Sequence, residues 1–250
     1  MLHNWVDYLR MRLSRNTPIL VYQMGKVGSQ SVYYSLLRAN YFPVLFFHYV
    51  AQLEQERFPH YQYLKQILND KSFVKIVTLV RDPVARNLSA FAHDFKGIFG
   101  SRMQSHSLAE LEDMFWQYDR HLQGVQWFDE EFHVRTGIDV YSYPFDKERG
   151  FSVIQQGPIA LLVLKLECPD AQKEYAIGQF VGIPNFRLKR FNTAMEREYK
   201  ANYKEFISAI HLPELYLDNL YGTKFVGHFY SEKEIEGFKK RWRQGRRSQP

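Results

Sequence analysis

Ile19-Leu20-Val21-Tyr22-Gln23-Met24-Gly25-Lys26-Val27-Gly28-Ser29-Gln30-Ser31 places a short apolar run, a two-glycine loop and a helix start in immediate succession. The run follows Pro18 and has the length of a buried strand. Beyond the loop, Val32, Leu36 and Leu37 recur at helical spacing as far as Asn40. Strand, glycine loop and helix in that order open a βα unit whose turn can receive an anion. Backbone N–H groups converge at such a turn, and the helix N-terminus adds partial positive charge.

Working outward, Val44-Leu45-Phe46-Phe47 reads as a second strand ending at His48, and a helix is expected between Leu53 and Leu68. The third strand, Val74 to Val80, stops at Arg81-Asp82-Pro83, where Asp82 caps a helix whose first turn holds Pro83. Ser107 to His133 reads as helix rich in aromatics. Gly137–Tyr143 and Ile159–Leu166 are later strand candidates, and Thr193–Ile210, Pro213–Tyr221 and Ser231–Arg243 are helices. The tail 244–250 is expected to fray. Strands alternating with helices predict an α/β protein, a three-layer sandwich around a central parallel sheet with a helical C-terminal part. Without repeats or linkers, a single domain 1–250 is expected, with residues 17–100 as the ligand-binding core and 101–250 as helical, acceptor-side elements.

Composition narrows the class. The 250 residues carry a formal charge of +6 and are 45% hydrophobic, which excludes a disordered chain. No apolar run is long enough to span a bilayer, and the first residues lack the apolar centre of a signal peptide. The single Cys168 precludes an internal disulfide framework and fits a reducing, cytoplasmic setting. The mild basic excess suits anionic ligands without specifying nucleic acid, and no metal cage is evident.

In the loop, Gly25 and Gly28 let the backbone approach an anion, Lys26 adds a full charge, and Ser29 and Ser31 add hydroxyl donors. The alternative is a plain turn with Lys26 as a solvated charge. A Walker loop carries its lysine after the last glycine, whereas Lys26 precedes Gly28, so a standard nucleoside-triphosphate loop is disfavoured. Arg81, at the carboxyl end of the third strand, and Ser89, two turns into the next helix, offer a guanidinium and a hydroxyl to a second phosphate. The alternative makes Asp82 and Pro83 only a helix start.

Together the two motifs resemble the site of sulfotransferases that use 3′-phosphoadenosine 5′-phosphosulfate, on a P-loop-like fold. The resemblance implies that Gly25, Lys26, Val27, Gly28, Ser29, Gln30 and Ser31 grip the 5′-phosphosulfate, and that Arg81 and Ser89 grip the 3′-phosphate. It extends to bacterial sulfotransferase-like proteins of capsular polysaccharide synthesis through Trp127-Phe128-Asp129-Glu130-Glu131, Thr136 to Tyr141, and His228-Phe229-Tyr230-Ser231. It implies sulfuryl transfer to an acceptor hydroxyl, on a carbohydrate, without a metal.

Lys26 is the expected stabiliser of the leaving oxygen, and His48 the leading general base, since imidazole titrates near neutrality. A structural histidine is the alternative. Glu130, Glu131 and Glu167 are rival bases; His93 and His228 rank below them. Arg197 and Lys200 are candidates for a further contact to the 3′-phosphate. Phe115-Trp116, Trp127-Phe128 and Phe229-Tyr230 are expected in the core rather than on a ligand. Lys239-Lys240-Arg241-Trp242-Arg243 is either a solvated final helix or a patch for an anionic acceptor or a peripheral membrane contact. Two other functions compete: a nucleotide kinase or NTPase with Asp82 on magnesium, and a non-catalytic nucleotide- or carbohydrate-binding protein. Oligomeric state is open.

Overall fold

The computed structural model describes residues 2–56, 58–70, 72–191 and 200–243. Among these residues, five strands form one sheet in the order β2-β1-β3-β5-β4. They are β1 (Ile19–Tyr22), β2 (Val44–Phe47), β3 (Val74–Val80), β4 (Phe151–Gln156) and β5 (Ile159–Lys165). β1 lies parallel between β2 (Ile19 beside Val44) and β3 (Ile19 beside Lys75), and β5 runs parallel to β3 from Val74–Ile159 to Val80–Lys165. All residues of β1 and β5 are buried, as expected for strands covered on both faces.

The sheet is mostly parallel, not wholly so. β4 pairs antiparallel with β5 through a hairpin at Gly157-Pro158. Its sequence, Phe-Ser-Val-Ile-Gln-Gln, buries Phe151 and Ile154 but exposes Val153, so it is less apolar than the inner strands. The strand expected at Gly137–Tyr143 does not form. Asp139 accepts from the Tyr141 N–H (3.0 Å) and the Ser142 hydroxyl (2.6 Å), closing a 3-10 turn over Val140–Ser142. A short acidic side chain bonding its own backbone outcompetes the ladder.

Helices join the strands. Ser29–Arg38 connects β1 to β2, and Val50–Glu56 and Phe58–Asn69 connect β2 to β3, replacing the one helix expected there. The helix expected over Ser107–His133 is broken into Leu108–Gln117, Gln123–Trp127 and a π-helical segment, Phe128–His133. The C-terminal helices are Lys200–Ala209, Glu214–Tyr221, Lys224–Phe229 and Glu232–Arg243. The start of the expected Thr193–Ile210 helix, together with Arg197 and the tail 244–250, lies outside the described residues; Lys200 opens the observed helix.

Cα packing divides the chain into two compact units, each assembled from two stretches. One comprises Met1–Val80 and Phe128–Phe191 and contains the whole sheet. The other comprises Arg81–Trp127 and Asn192–Pro250. Its core is aromatic: Phe91 packs against Phe95, Phe115 and Phe206 at centroid distances of 5.3, 5.4 and 5.4 Å. Phe115, Trp127, Phe128, Phe229 and Tyr230 are all buried as expected, while Trp116 is partly exposed.

Within the sheet, β1 is followed in sequence by β2 on one side, whereas β3 is followed by β4 and β5 on the other. The carboxyl ends of adjacent β1 and β3 are therefore a topological switch point, the place in an open α/β sheet where ligands gather.

Candidate functional site

At that switch point β1 gives way to Gln23, which is fully buried. Its side-chain oxygen accepts from the Leu79 N–H at 2.9 Å, so the side chain supplies the ladder bond that the departing β1 backbone no longer makes. Its main-chain carbonyl accepts from His48 Nδ1 at 2.8 Å. A carbonyl can only accept, so Nδ1 carries the hydrogen and the neutral ring holds its lone pair on Nε2. The ring stands beside the loop: a Cβ on Gly25 would lie 3.9 Å from His48 Cδ2 and 4.0 Å from Nε2.

The loop itself is unusual in its backbone. Lys26 has φ 71° and Gly28 φ 83°, both in the left-handed region. For lysine this conformation costs about 1–2 kcal/mol, and such cost concentrates where a loop is shaped for a ligand. The positive φ is what favours glycine at Gly28; a Cβ there would also come within 2.9 Å of Leu166 Cδ1, a side-chain tip that would have to move. Gly28 is the N-cap of helix Ser29–Arg38 and has no side chain with which to cap it. Val27 and Ser29 are buried, Gly25, Lys26 and Ser31 half-buried, and Gly28 and Gln30 exposed. Ser31 Oγ accepts from the Phe191 N–H at 3.2 Å and keeps its own hydrogen to donate.

Glu131 is the residue whose role changes most. It is buried on the π-helical segment, and one oxygen accepts from both the Tyr22 hydroxyl and the Val50 N–H, each at 2.7 Å. Burial first, and then this carboxylate, push the Tyr22 phenol far above its usual range. Arg135 Nε lies 3.9 Å from the other oxygen. Glu131 thus ties the end of β1 to the first turn of helix Val50–Glu56, two residues after His48. Gln52 Oε1 adds bonds from the His48 and Tyr49 N–H groups at 3.2 and 3.3 Å. Glu130 and Glu167 are exposed. Nothing in the local pattern around Gln23 or Glu131 announces these contacts; both depend on chain segments far away in sequence.

Arg81 and Ser89 belong to the second unit. Arg81 is half-buried and directly precedes Asp82, the N-cap of helix Pro83–Phe99, with proline in its first turn. Ser89 lies on the half-exposed stripe that Ala85 and His93 share at helical spacing. Asp82 is 1% exposed. Its Oδ1 accepts from the Tyr221 hydroxyl (2.7 Å) and the Val84 N–H (3.1 Å), and its Oδ2 from Trp242 Nε1 (2.8 Å). Burial pushes its carboxyl above the usual range, opposed by these donors. Such a carboxylate is spent on structure, so the role of magnesium ligand does not suit it. Arg86 is buried as well, donating to the Arg120 carbonyl and to Gln123 Oε1. His93 pairs with Asp94 at 2.9 Å, and His228 rests edge-on against Phe229. In the final basic run, Trp242 is buried, Lys239 pairs with Asp218 and Arg243 with Glu214.

Among the described residues, no three His, Cys, Asp or Glu side chains are grouped to hold a metal ion, and no helix is long and apolar enough to cross a membrane. A family model described as "NKWYS: Putative capsular polysaccharide synthesis protein" matches residues 105–231, just over half of the chain. The chain belongs to the NKWYS family. The NKWYS match takes in the π-helical segment with Glu131, the β4–β5 hairpin and the helices up to Ser231, and begins after both the glycine loop and Arg81. No curated protein and no solved structure matches this chain.

Proposed function

We propose that this NKWYS protein is a sulfotransferase of capsular polysaccharide synthesis, moving a sulfuryl group from 3′-phosphoadenosine 5′-phosphosulfate to a carbohydrate hydroxyl. One observation carries the reading. His48, with its tautomer set by the Gln23 carbonyl, flanks a glycine loop held in the left-handed conformation at the switch point of a mostly parallel sheet. The strand–loop–helix order and the sheet support a P-loop-like fold of the sulfotransferase kind.

In this reading the acceptor oxygen forms a bond to sulfur while the bond from sulfur to the 5′-phosphate oxygen breaks. The acceptor proton passes to His48 Nε2. Lys26 offsets the charge growing on the leaving phosphate oxygen, and the backbone from Gly25 to Ser31 holds the phosphosulfate in line. From the resemblance, Arg81 and Ser89 take the 3′-phosphate. The carbohydrate acceptor rests on the family's description. A kinase reading loses its magnesium ligand once Asp82 is committed to Tyr221 and Trp242.

Calorimetric titration with adenosine 3′,5′-bisphosphate, against magnesium-ATP, tests the proposal. Metal-independent binding of the bisphosphate, weakened in Arg81→Ala and Ser89→Ala, supports it. Binding of magnesium-ATP alone overturns it in favour of a kinase. Silence with both ligands overturns it in favour of a binding protein.

A further inference from the structure

The helix Leu2–Leu13 presents a surface that the proposed chemistry does not use. Met11 is buried and the Tyr8 hydroxyl donates to Gln66 at 2.9 Å, which fixes the face turned toward helix Phe58–Asn69. On the opposite face Trp5, Leu9 and Leu13 stand at i, i+4 and i+8, with Val6 beside them. They are 52, 52 and 80% exposed, and Val6 is 53%. Single exposed apolar residues are ordinary; a continuous helical line of them is a contact surface.

Charge selects the partner. Arg12, three residues past Leu9, borders the apolar line on one side, and Arg10, four past Val6, borders it on the other; both are exposed. Asp7 is the sole acidic residue of this helix, and helical spacing puts it on the face shared with Met11. Packing this face against its own copy brings Arg10 and Arg12 of both chains to the rim of one seam, with no acid of the helix to meet them. An anionic lipid surface meets both features at once. Leucine and tryptophan enter the headgroup boundary, and flanking arginines reach the phosphates.

We propose that helix Leu2–Leu13 is an interfacial anchor that lays the Trp5–Leu9–Leu13 line into the surface of an anionic phospholipid bilayer. The anchor is independent of the sulfuryl-transfer reading, since it uses none of the residues assigned to that reaction.

Flotation of the full chain with vesicles of equal parts phosphatidylglycerol and phosphatidylcholine, against phosphatidylcholine alone, tests it. Binding is expected with the anionic vesicles and weaker by about tenfold or more without them, as two arginines near the surface imply. Leu9→Asn and Leu13→Asn should each lower partitioning by about five- to tenfold, consistent with the transfer free energy of a largely exposed leucine. Leu13 faces solvent and Leu9 is about half exposed, so the melting temperature of each variant should stay within a few degrees of the parent's. No flotation with either vesicle overturns the proposal. So does equal flotation of parent and variants. A concentration-dependent dimer in sedimentation that Leu9→Asn dissolves, without vesicle binding, assigns the face to a second copy instead.

Discussion

His48 Nδ1 donates to the main-chain carbonyl of Gln23 at 2.8 Å, joining the residue after β2 to the residue after β1. Both flank the same loop end of the sheet. The bond does more than hold an imidazole in place. It selects the tautomer, and it sets that tautomer from a backbone atom that no side-chain substitution removes. Gln23, in turn, is anchored by its side chain to β3 through Leu79. Three neighbouring strands thus determine where one ring nitrogen stands.

If His48 is the general base, His48→Ala should lower kcat for sulfuryl transfer by about 10²–10⁴-fold while the affinity for adenosine 3′,5′-bisphosphate stays near that of the parent. Steady-state rates combined with calorimetry separate the two quantities. Unchanged turnover removes His48 from the chemistry.

Glu131 is expected to position and not to exchange protons. Glu131→Ala strands the Tyr22 hydroxyl and the Val50 N–H, each costing about 1–3 kcal/mol of stability. Glu131→Gln retains an acceptor for both and should keep most of the turnover. A Gln variant that folds normally yet loses activity makes Glu131 the base in place of His48.

Lys26 in the left-handed region leads to a comparison of two variants. Both remove the charge, so both should lose turnover. Lys26→Gly should nevertheless be more stable than Lys26→Ala by about 1 kcal/mol, because glycine adopts positive φ without steric cost. Urea unfolding of the pair measures the difference, and equal stabilities contradict the strain.

Asp82 links three helices of the second unit. Trp242→Phe keeps an aromatic ring, though a smaller one, and removes the donor to Oδ2, so it should cost at least about 1–3 kcal/mol. Tyr221→Phe removes a donor to Oδ1 with a similar loss. Since both donors serve one carboxylate, the double variant should depart from additivity by at least about 0.5 kcal/mol, which a double-mutant cycle by denaturant titration reads directly.

His121 gives the second unit a pH dependence. Its Nε2 donates to the Phe115 carbonyl and its Nδ1 accepts from the Tyr216 hydroxyl, both at 3.0 Å. Burial lowers its pKa below the unfolded value of 6.5. The unfolded chain therefore takes up a proton that the folded chain refuses, so stability should fall as pH drops through 6.5 and recover above it. Urea midpoints across that interval should slope accordingly in the parent and flatten in His121→Gln.

The sequence alone determined the elements whose cause is local. Predominantly apolar runs marked β1, β2, β3 and β5, the glycine pair marked the loop after β1, and Asp82-Pro83 marked a helix start that the structure contains. It also carried the order of lysine and glycine that separates this loop from a Walker loop. Only the tertiary structure decided what lies across the chain. Tyr22 meets Glu131 109 residues away, and Asp82 meets Trp242 160 residues away. β4, with its polar outer face, becomes a strand only because β5 offers it an edge. Gly137–Tyr143 looks like a strand by composition, yet Asp139 turns it back on itself. Periodicity records which face of a segment is buried, whereas the partner of a buried carboxylate is set by topology, which no local window contains.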